Sequence, residues 1–166
     1  VLHEPEEAWL LCRYIAKRRR RRGGIAVQGG CHCGRVRYEI TGPVRQVVEC
    51  HCESCRRLTG SVWHATGARQ KDVSISDNDN ALNWYRSSEK VERGFCGNCG
   101  STMFFRRDGA DTITITAGSL DQPTGLHLMM RIFTDEMADY AADSSGDGIP
   151  RYPEFPDMHH FAIPDE

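Results

Sequence analysis

Seven of the eight cysteines in this 166-residue chain fall into three tight groups: Cys31-His32-Cys33, Cys50-His51-Cys52-Glu53-Ser54-Cys55 and Cys96-Gly97-Asn98-Cys99. Any fold must bring these thiols together in sets, and the spacing says what kind. Cysteines one residue apart are poor disulfide partners, because a bridge needs a specific Cα and Cβ separation. A chain of this length can also bury a core without such staples. Thiolates at chelating spacing select zinc or iron–sulfur clusters. The short glycine-rich C-x-x-C unit, with no ferredoxin-like cysteine run, favours zinc. The sequence shows no apolar signal segment, which predicts a reducing, cytoplasmic setting.

Tetrahedral zinc with Zn–S bonds of about 2.3 Å needs its sulfurs roughly 3.7 Å apart. On a regular strand, residues i and i+2 share a face but stand about 6.5–7 Å apart. A C-x-C pair therefore chelates one ion only where the backbone leaves the extended form, and glycines beside Cys31, Cys33, Cys96 and Cys99 permit that. Each of these two pairs supplies two ligands and needs a partner pair. The middle group already supplies three. The expected partition is one closed site from Cys31, Cys33, Cys96 and Cys99, and a second from Cys50, Cys52 and Cys55 with one position open, giving two zinc ions per chain. Other partitions would split a local chelate. A closed four-thiolate site is structural, whereas three protein ligands plus an open position mark catalytic zinc.

The run Gly30-Cys31-His32-Cys33-Gly34-Arg35-Val36-Arg37-Tyr38, then Cys50-His51-Cys52-Glu53-Ser54-Cys55-Arg56-Arg57, then Gly94-Phe95-Cys96-Gly97-Asn98-Cys99-Gly100-Ser101 resembles the glutathione-dependent formaldehyde-activating enzyme family, which includes centromere protein V. The resemblance extends through Ser87-Ser88-Glu89, Ala117-Gly118-Ser119-Leu120-Asp121 and Asp147-Gly148-Ile149-Pro150-Arg151-Tyr152-Pro153, covering roughly residues 25 to 157. It implies a mainly β fold, a β-tent of small antiparallel sheets organised around zinc with few short helices. It also implies a carbon–sulfur lyase activity joining glutathione to formaldehyde as S-(hydroxymethyl)glutathione.

The residues around the triad bear on this chemistry. Arg56 and Arg57, directly after Cys55, could offset thiolate charge or pair with a substrate carboxylate. His32 and His51 lie between ligands, and alternation predicts that their rings point away from the metal. His64 and His127 could each supply a fourth ligand and close the second site as Cys₃His. Trp63, Trp84, Phe104 and Phe105 are expected in the core or a pocket wall.

Residues 35–40 alternate Val36, Tyr38 and Ile40 with polar neighbours, and residues 112–116 alternate isoleucine with threonine, the period-two signal of strands. Further strands are expected at 44–48, 62–67, 82–85, 91–95, 102–105 and 126–133, with one short helical turn at 53–58. No repeat or interior linker divides this region. The expected organisation is a basic extension over 1–24, a zinc-binding domain over 25–157 and a tail over 158–166, in which His159 and His160 are solvated. A formal charge of −2 argues against nucleic-acid binding by the domain as a whole. The run from Lys17 to Arg22 is the exception. It allows a second reading, a non-catalytic zinc module whose arm contacts nucleic acid or a protein partner. Cys12 is expected to be a plain thiol. The stretch before the basic run is too short to span a membrane.

Overall fold

The computed structural model describes residues 26–141, 146–156 and 163–164. The basic arm, Cys12 and the His159–His160 pair lie outside the described residues. The described chain folds as β1 (Val27–Gly30), β2 (Val36–Ile40), β3 (Val47–Cys50), α1 (Glu53–Thr59), β4 (Trp63–Arg69), β5 (Val73–Asp77), β6 (Leu82–Ser88), β7 (Val91–Cys96), β8 (Thr102–Arg107), β9 (Thr112–Thr116), β10 (Leu128–Ile132) and β11 (Arg151–Tyr152), with three single 3₁₀ turns. No helix among the described residues is long and apolar enough to cross a membrane.

The alternating segments form strands for the reason their pattern suggests. Val36, Tyr38 and Ile40 of β2 are all buried while Arg37 and Glu39 face outward, and Ile113 and Ile115 of β9 are buried between threonines. Every second side chain then joins a core and the others meet solvent. β1, β2 and β5 make a three-stranded antiparallel sheet in the order β1-β2-β5. The remaining eight strands make one sheet in the order β11-β10-β3-β4-β9-β8-β7-β6. This larger sheet is antiparallel from β3 to β6, whereas β10 pairs in parallel with both β3 and β11.

The buried residues fall into two clusters. One packs Val36, Tyr38 and Ile40 of the small sheet against Met103, Phe104 and Ile115 of the large one, with Tyr38 edge-on to Phe104 at 5.3 Å and Trp84 stacked on Phe104 at 6.0 Å. The other gathers Val48, Trp63, Ala65, Met130 and Ile132 along β3, β4 and β10. Cys31 and Cys96 belong to the first cluster and Cys50 and Cys55 to the second, so each thiol group is part of a different core.

The helical turn, now Glu53–Thr59, ends at Gly60 in the left-handed conformation (φ 76°), whose N–H bonds Arg56 O at 2.9 Å. β3 begins three residues later than the expected 44–48 because its ladder to β4 and β10 runs from Val47 to Cys50. β10 stops at Ile132, since Phe133 takes a positive φ of 56° that leaves the extended region. β1, β5 and β11 carry weak sequence signals. β1 ends in two glycines, β5 leaves Ile75 exposed, and β11 has two residues.

Gly29 of β1 is closely enclosed by its neighbour strand β2 and by the turn Ala117–Ser119. A Cβ there would overlap the Tyr38 ring and the Ser119 carbonyl oxygen, and the Tyr38 hydroxyl is fixed by a 2.7 Å hydrogen bond to Ser119 Oγ. Gly29→Ala should therefore destabilise by about 1–3 kcal/mol through overpacking. Thermal unfolding should show a melting temperature lower by several degrees, and an unchanged midpoint would contradict this contact.

Candidate metal centres and the adjoining cleft

The four-thiol group is built by two turns of similar design. After β1, Cys31 N donates to Val36 O at 2.9 Å, and the chain reverses through Gly34, whose φ is +78° and whose N–H bonds Cys31 O at 3.1 Å. After β7, Cys96 N donates to Ser101 O at 2.9 Å, and the chain reverses through Gly100, with φ +75° and a 2.7 Å bond to Cys96 O. These left-handed positions are open to glycine at little cost. They replace the 6–7 Å spacing of a strand with 3.5 Å between the sulfurs of Cys31 and Cys33, and 3.8 Å between those of Cys33 and Cys96. Those separations match the edge of a tetrahedron around zinc. All four sulfurs lie within 4.8 Å of one another.

Hydrogen bonds prepare this group for negative charge. Val36 N–H points at Cys31 Sγ at 3.3 Å, and the Ser101 hydroxyl lies 3.3 Å from Cys99 Sγ. Ser101 holds the Cys99 thiol down to about 5, and the backbone N–H of Arg35 lowers Cys33. Burial pushes Cys96 up to about 11. Thiols so mixed in acidity, packed at this distance, ionise together only when a cation compensates them.

The three-thiol group sits at the junction of β3 and α1. Cys50 is the last residue of β3, Cys52 is the N-cap of α1, and Cys55 lies in its first turn, where its N–H donates to Cys52 Sγ at 3.4 Å. Their sulfurs also lie within 4.8 Å of one another. Hydrogen bonds from Cys50 and then Cys55 hold the Cys52 thiol far below the ordinary range, and donation to Cys52 pushes Cys50 up. Cys50 favours ionisation of Cys55, but Cys52 and burial outweigh it and leave Cys55 raised. A divalent ion bound there would replace these hydrogen bonds among the thiols and favour all three as thiolates. Among the described residues, these two groups are the sets that could hold metal ions.

The cation that reaches the triad is Arg93, on β7, which its sequence position did not reveal. Its two Nη atoms each lie 3.7 Å from Cys55 Sγ, and Nη2 is 3.4 Å from Ser54 Oγ. The guanidinium sits between Trp63 (5.6 Å to the ring centre) and Phe105 (5.1 Å), and the side chain is 7% exposed. Of the two arginines adjacent to Cys55, Arg57 is exposed and bonds Glu53 at 2.8 Å. Arg56 is half-buried, with an Nε that has no hydrogen-bond partner among the described residues.

The histidines are placed by a row of charge on the opposite face of β3. Glu49 stands beside Arg131 of β10 and His64 of β4 in the strand register. It accepts from Arg131 Nε at 2.9 Å and meets His51 Nε2 at 2.7 Å and His64 Nε2 at 3.1 Å. Burial works to raise the Glu49 carboxyl, but His51, Arg131 and His64 together keep it below the usual range. Alternation along β3 is the cause: Cys50 faces the core and Glu49 the other side. His51, between two of the three cysteines, turns to Glu49. His127 is exposed on the approach to β10, and His32 is exposed beside the four-thiol group.

A cleft of about 560 Å³ is lined by residues close in sequence to both thiol groups, though by none of the seven cysteines. His32, Gly100 and Ser101 line it from the four-thiol side, and Thr59, Trp63 and His64 from the triad side. Trp63 pairs directly with Cys50 across the strands, and Thr59 Oγ1 donates to Cys55 O at 3.0 Å. Among the described residues, the lining includes hydroxyls and glycines and no Asp or Glu.

The family model for the glutathione-dependent formaldehyde-activating enzyme matches residues 26–136, a span that contains both thiol groups, α1 and Arg93. An uncharacterized lyase of Schizosaccharomyces pombe is 37% identical over 78 residues, covering 47% of this chain and 56% of that protein. A Pyrenophora teres f. teres protein provisionally named a glutathione-dependent formaldehyde-activating enzyme is 32% identical over 79 residues, 46% of this chain and 42% of that one. A Halomonas elongata protein with the same provisional name is 25% identical over 119 residues, 64% of this chain and 76% of that one. The chain spans about half the length of the first two of these relatives. With the family's match covering well over half of its residues, the chain belongs to the glutathione-dependent formaldehyde-activating enzyme family.

Proposed function

We propose that this chain is a zinc-dependent carbon–sulfur lyase that joins a thiol to an aldehyde, with glutathione and formaldehyde the favoured pair. In this reading Cys50, Cys52 and Cys55 hold the catalytic ion, and Cys31, Cys33, Cys96 and Cys99 hold a structural one. The observation that carries it is the triad itself. Three thiols stand at coordinating distance, and the two nearby histidines, His51 and His64, are engaged by Glu49. Among the described residues, that leaves no fourth ligand in the group. Zinc bound there would supply a field that ionises a coordinating thiol or polarises an aldehyde oxygen.

The chain's own residues hold the substrates beside that position. The cleft's volume falls within the roughly 300–1,000 Å³ of ordinary small-molecule sites. Its hydroxyls and backbone groups, free of acidic side chains, suit a thiol that carries carboxylates. Of the two arginines adjacent to Cys55, Arg57 is paired with Glu53, and Arg56 keeps a buried Nε with no partner among the described residues; neither lines the cleft. In the reaction the thiol sulfur bonds to the carbonyl carbon, and the proton given up by the thiol ends on the new hydroxyl.

Two measurements test the assignment. Cys99→Ser should lower the zinc content by about one ion per chain and reduce the melting temperature, because a structural zinc site contributes folding free energy. Cys52→Ser should also cost about one ion but leave the fold intact. Full zinc and an unchanged melting temperature in Cys99→Ser would overturn the four-thiol assignment, and general unfolding in Cys52→Ser would make the triad a second structural site.

The activity is read by two-dimensional exchange NMR on glutathione, formaldehyde and S-(hydroxymethyl)glutathione. Zinc-replete protein should speed their interconversion above the uncatalysed rate, and Cys50→Ser should abolish the gain. Equal exchange with wild-type, Cys50→Ser and no protein, at full metal loading, would exclude glutathione–formaldehyde chemistry.

A further inference from the structure

Buried charges in proteins are paired, because an isolated ion in a low-dielectric interior is costly. Arg131, 6% exposed, obeys this with Glu49 at 2.9 Å and Asp147 at 2.8 Å. Arg93 is just as buried, and its hydrogen bonds go to Ser87 Oγ, Ser54 Oγ and, from both Nη atoms, Cys55 Sγ. No carboxylate among the described residues pairs with it. The remaining neighbours, Trp63 and Phe105, offer ring faces that fix the plane of the guanidinium and attract its charge weakly. Among the described residues in contact with this cation, the Cys55 sulfur is the one group able to carry a full negative charge.

We propose that Arg93 is the counter-charge and positioning residue of the three-thiol site, holding Cys55 as an anionic metal ligand through a fork of two N–H···S hydrogen bonds. The inference rests on reading the triad as a metal site. A divalent ion with three thiolates carries a net charge of −1, and the guanidinium brings the buried assembly to neutrality. Fourth-position binding of an anionic thiol then adds one negative charge to a neutral site, where otherwise it would add a second to a charged one. Donation into the Cys55 lone pairs also lowers their energy and weakens that sulfur as a donor, which leaves the ion more electrophilic toward an incoming ligand. The two aromatic rings matter because an arginine fork aims two hydrogens at one acceptor only while its plane is held.

The test uses the whole protein loaded with cobalt(II), whose sulfur-to-metal charge-transfer bands report each thiolate. Wild-type protein should bind two ions per chain. Arg93→Met should lose roughly 10–100-fold in affinity at the weaker site, the usual cost of removing a hydrogen-bonding partner from a metal ligand. Its charge-transfer band should move to longer wavelength, because the Cys55 lone pairs rise in energy, while the four-thiol site stays loaded. Arg93→Lys keeps the cation but not the fork, so it should recover part of the affinity and little of the band position. If Arg93→Met does not fold, Arg93→Lys decides alone. An affinity and a band both equal to wild type in every folded variant would overturn the role of Arg93 and leave the metal reading standing. Uptake of only one ion by the wild-type protein would overturn the metal reading and this inference together.

Discussion

Thiols packed within 4.8 Å of one another raise an electrostatic problem: ionised they repel, and protonated they are poor ligands. Most of this architecture can be understood as the means of holding two such groups. The four-thiol group joins the turn that follows β1 of the small sheet to the turn between β7 and β8 of the large one, so it links two sheets whose strands, among the described residues, do not pair with each other; the isolated bridge Gly29 to Leu120 ties β1 only to the segment after β9. The apolar contact of Tyr38 with Phe104 is the other half of that link. With hydrophobic residues at 39% of the chain, a metal held by the four thiols would act on the same junction as the core.

The three-thiol group depends on a different device. It occupies the seam where β3 gives way to α1, with Cys50 on a strand and Cys52 and Cys55 on the first turn of a seven-residue helix. The two faces of β3 separate the chemistry. One face carries Cys50 into an apolar cluster with Trp63 and Ile132, and the other carries Glu49 into a row with Arg131, His64 and His51. Nitrogen donors that could compete for a metal are thereby satisfied by a carboxylate on the far side of the strand. Geometry, not composition, keeps the triad a three-sulfur site.

The cleft follows from both arrangements. Its walls come from the four-thiol turn, the C-terminal end of α1 and the start of β4, so residues close in sequence to both thiol groups line it, while none of the seven cysteines does.

Much of this was legible in the residues alone. The grouping of the thiols could be read because short spacings act locally: C-x-C, C-x-x-C and C-x-C-x-x-C set which sulfurs can come together before any strand is paired. β2 and β9 could be read because burial on one face imposes a period of two. The short helix could be read from its place after the triad, and the family from motifs that run through all three cysteine groups. What tertiary structure alone decided are the groups that meet across strands. Arg56 and Arg57 are next to Cys55 in sequence, yet the cation that touches its sulfur is Arg93, 38 residues away on β7. Likewise the engagement of His51 and His64 depends on Glu49 lying in register with its neighbours on β4 and β10. The physical reason is that spacing along a chain constrains ligands a few bonds apart. The partner of a buried charge, by contrast, is set by which strands lie side by side, and strand order has no local signature.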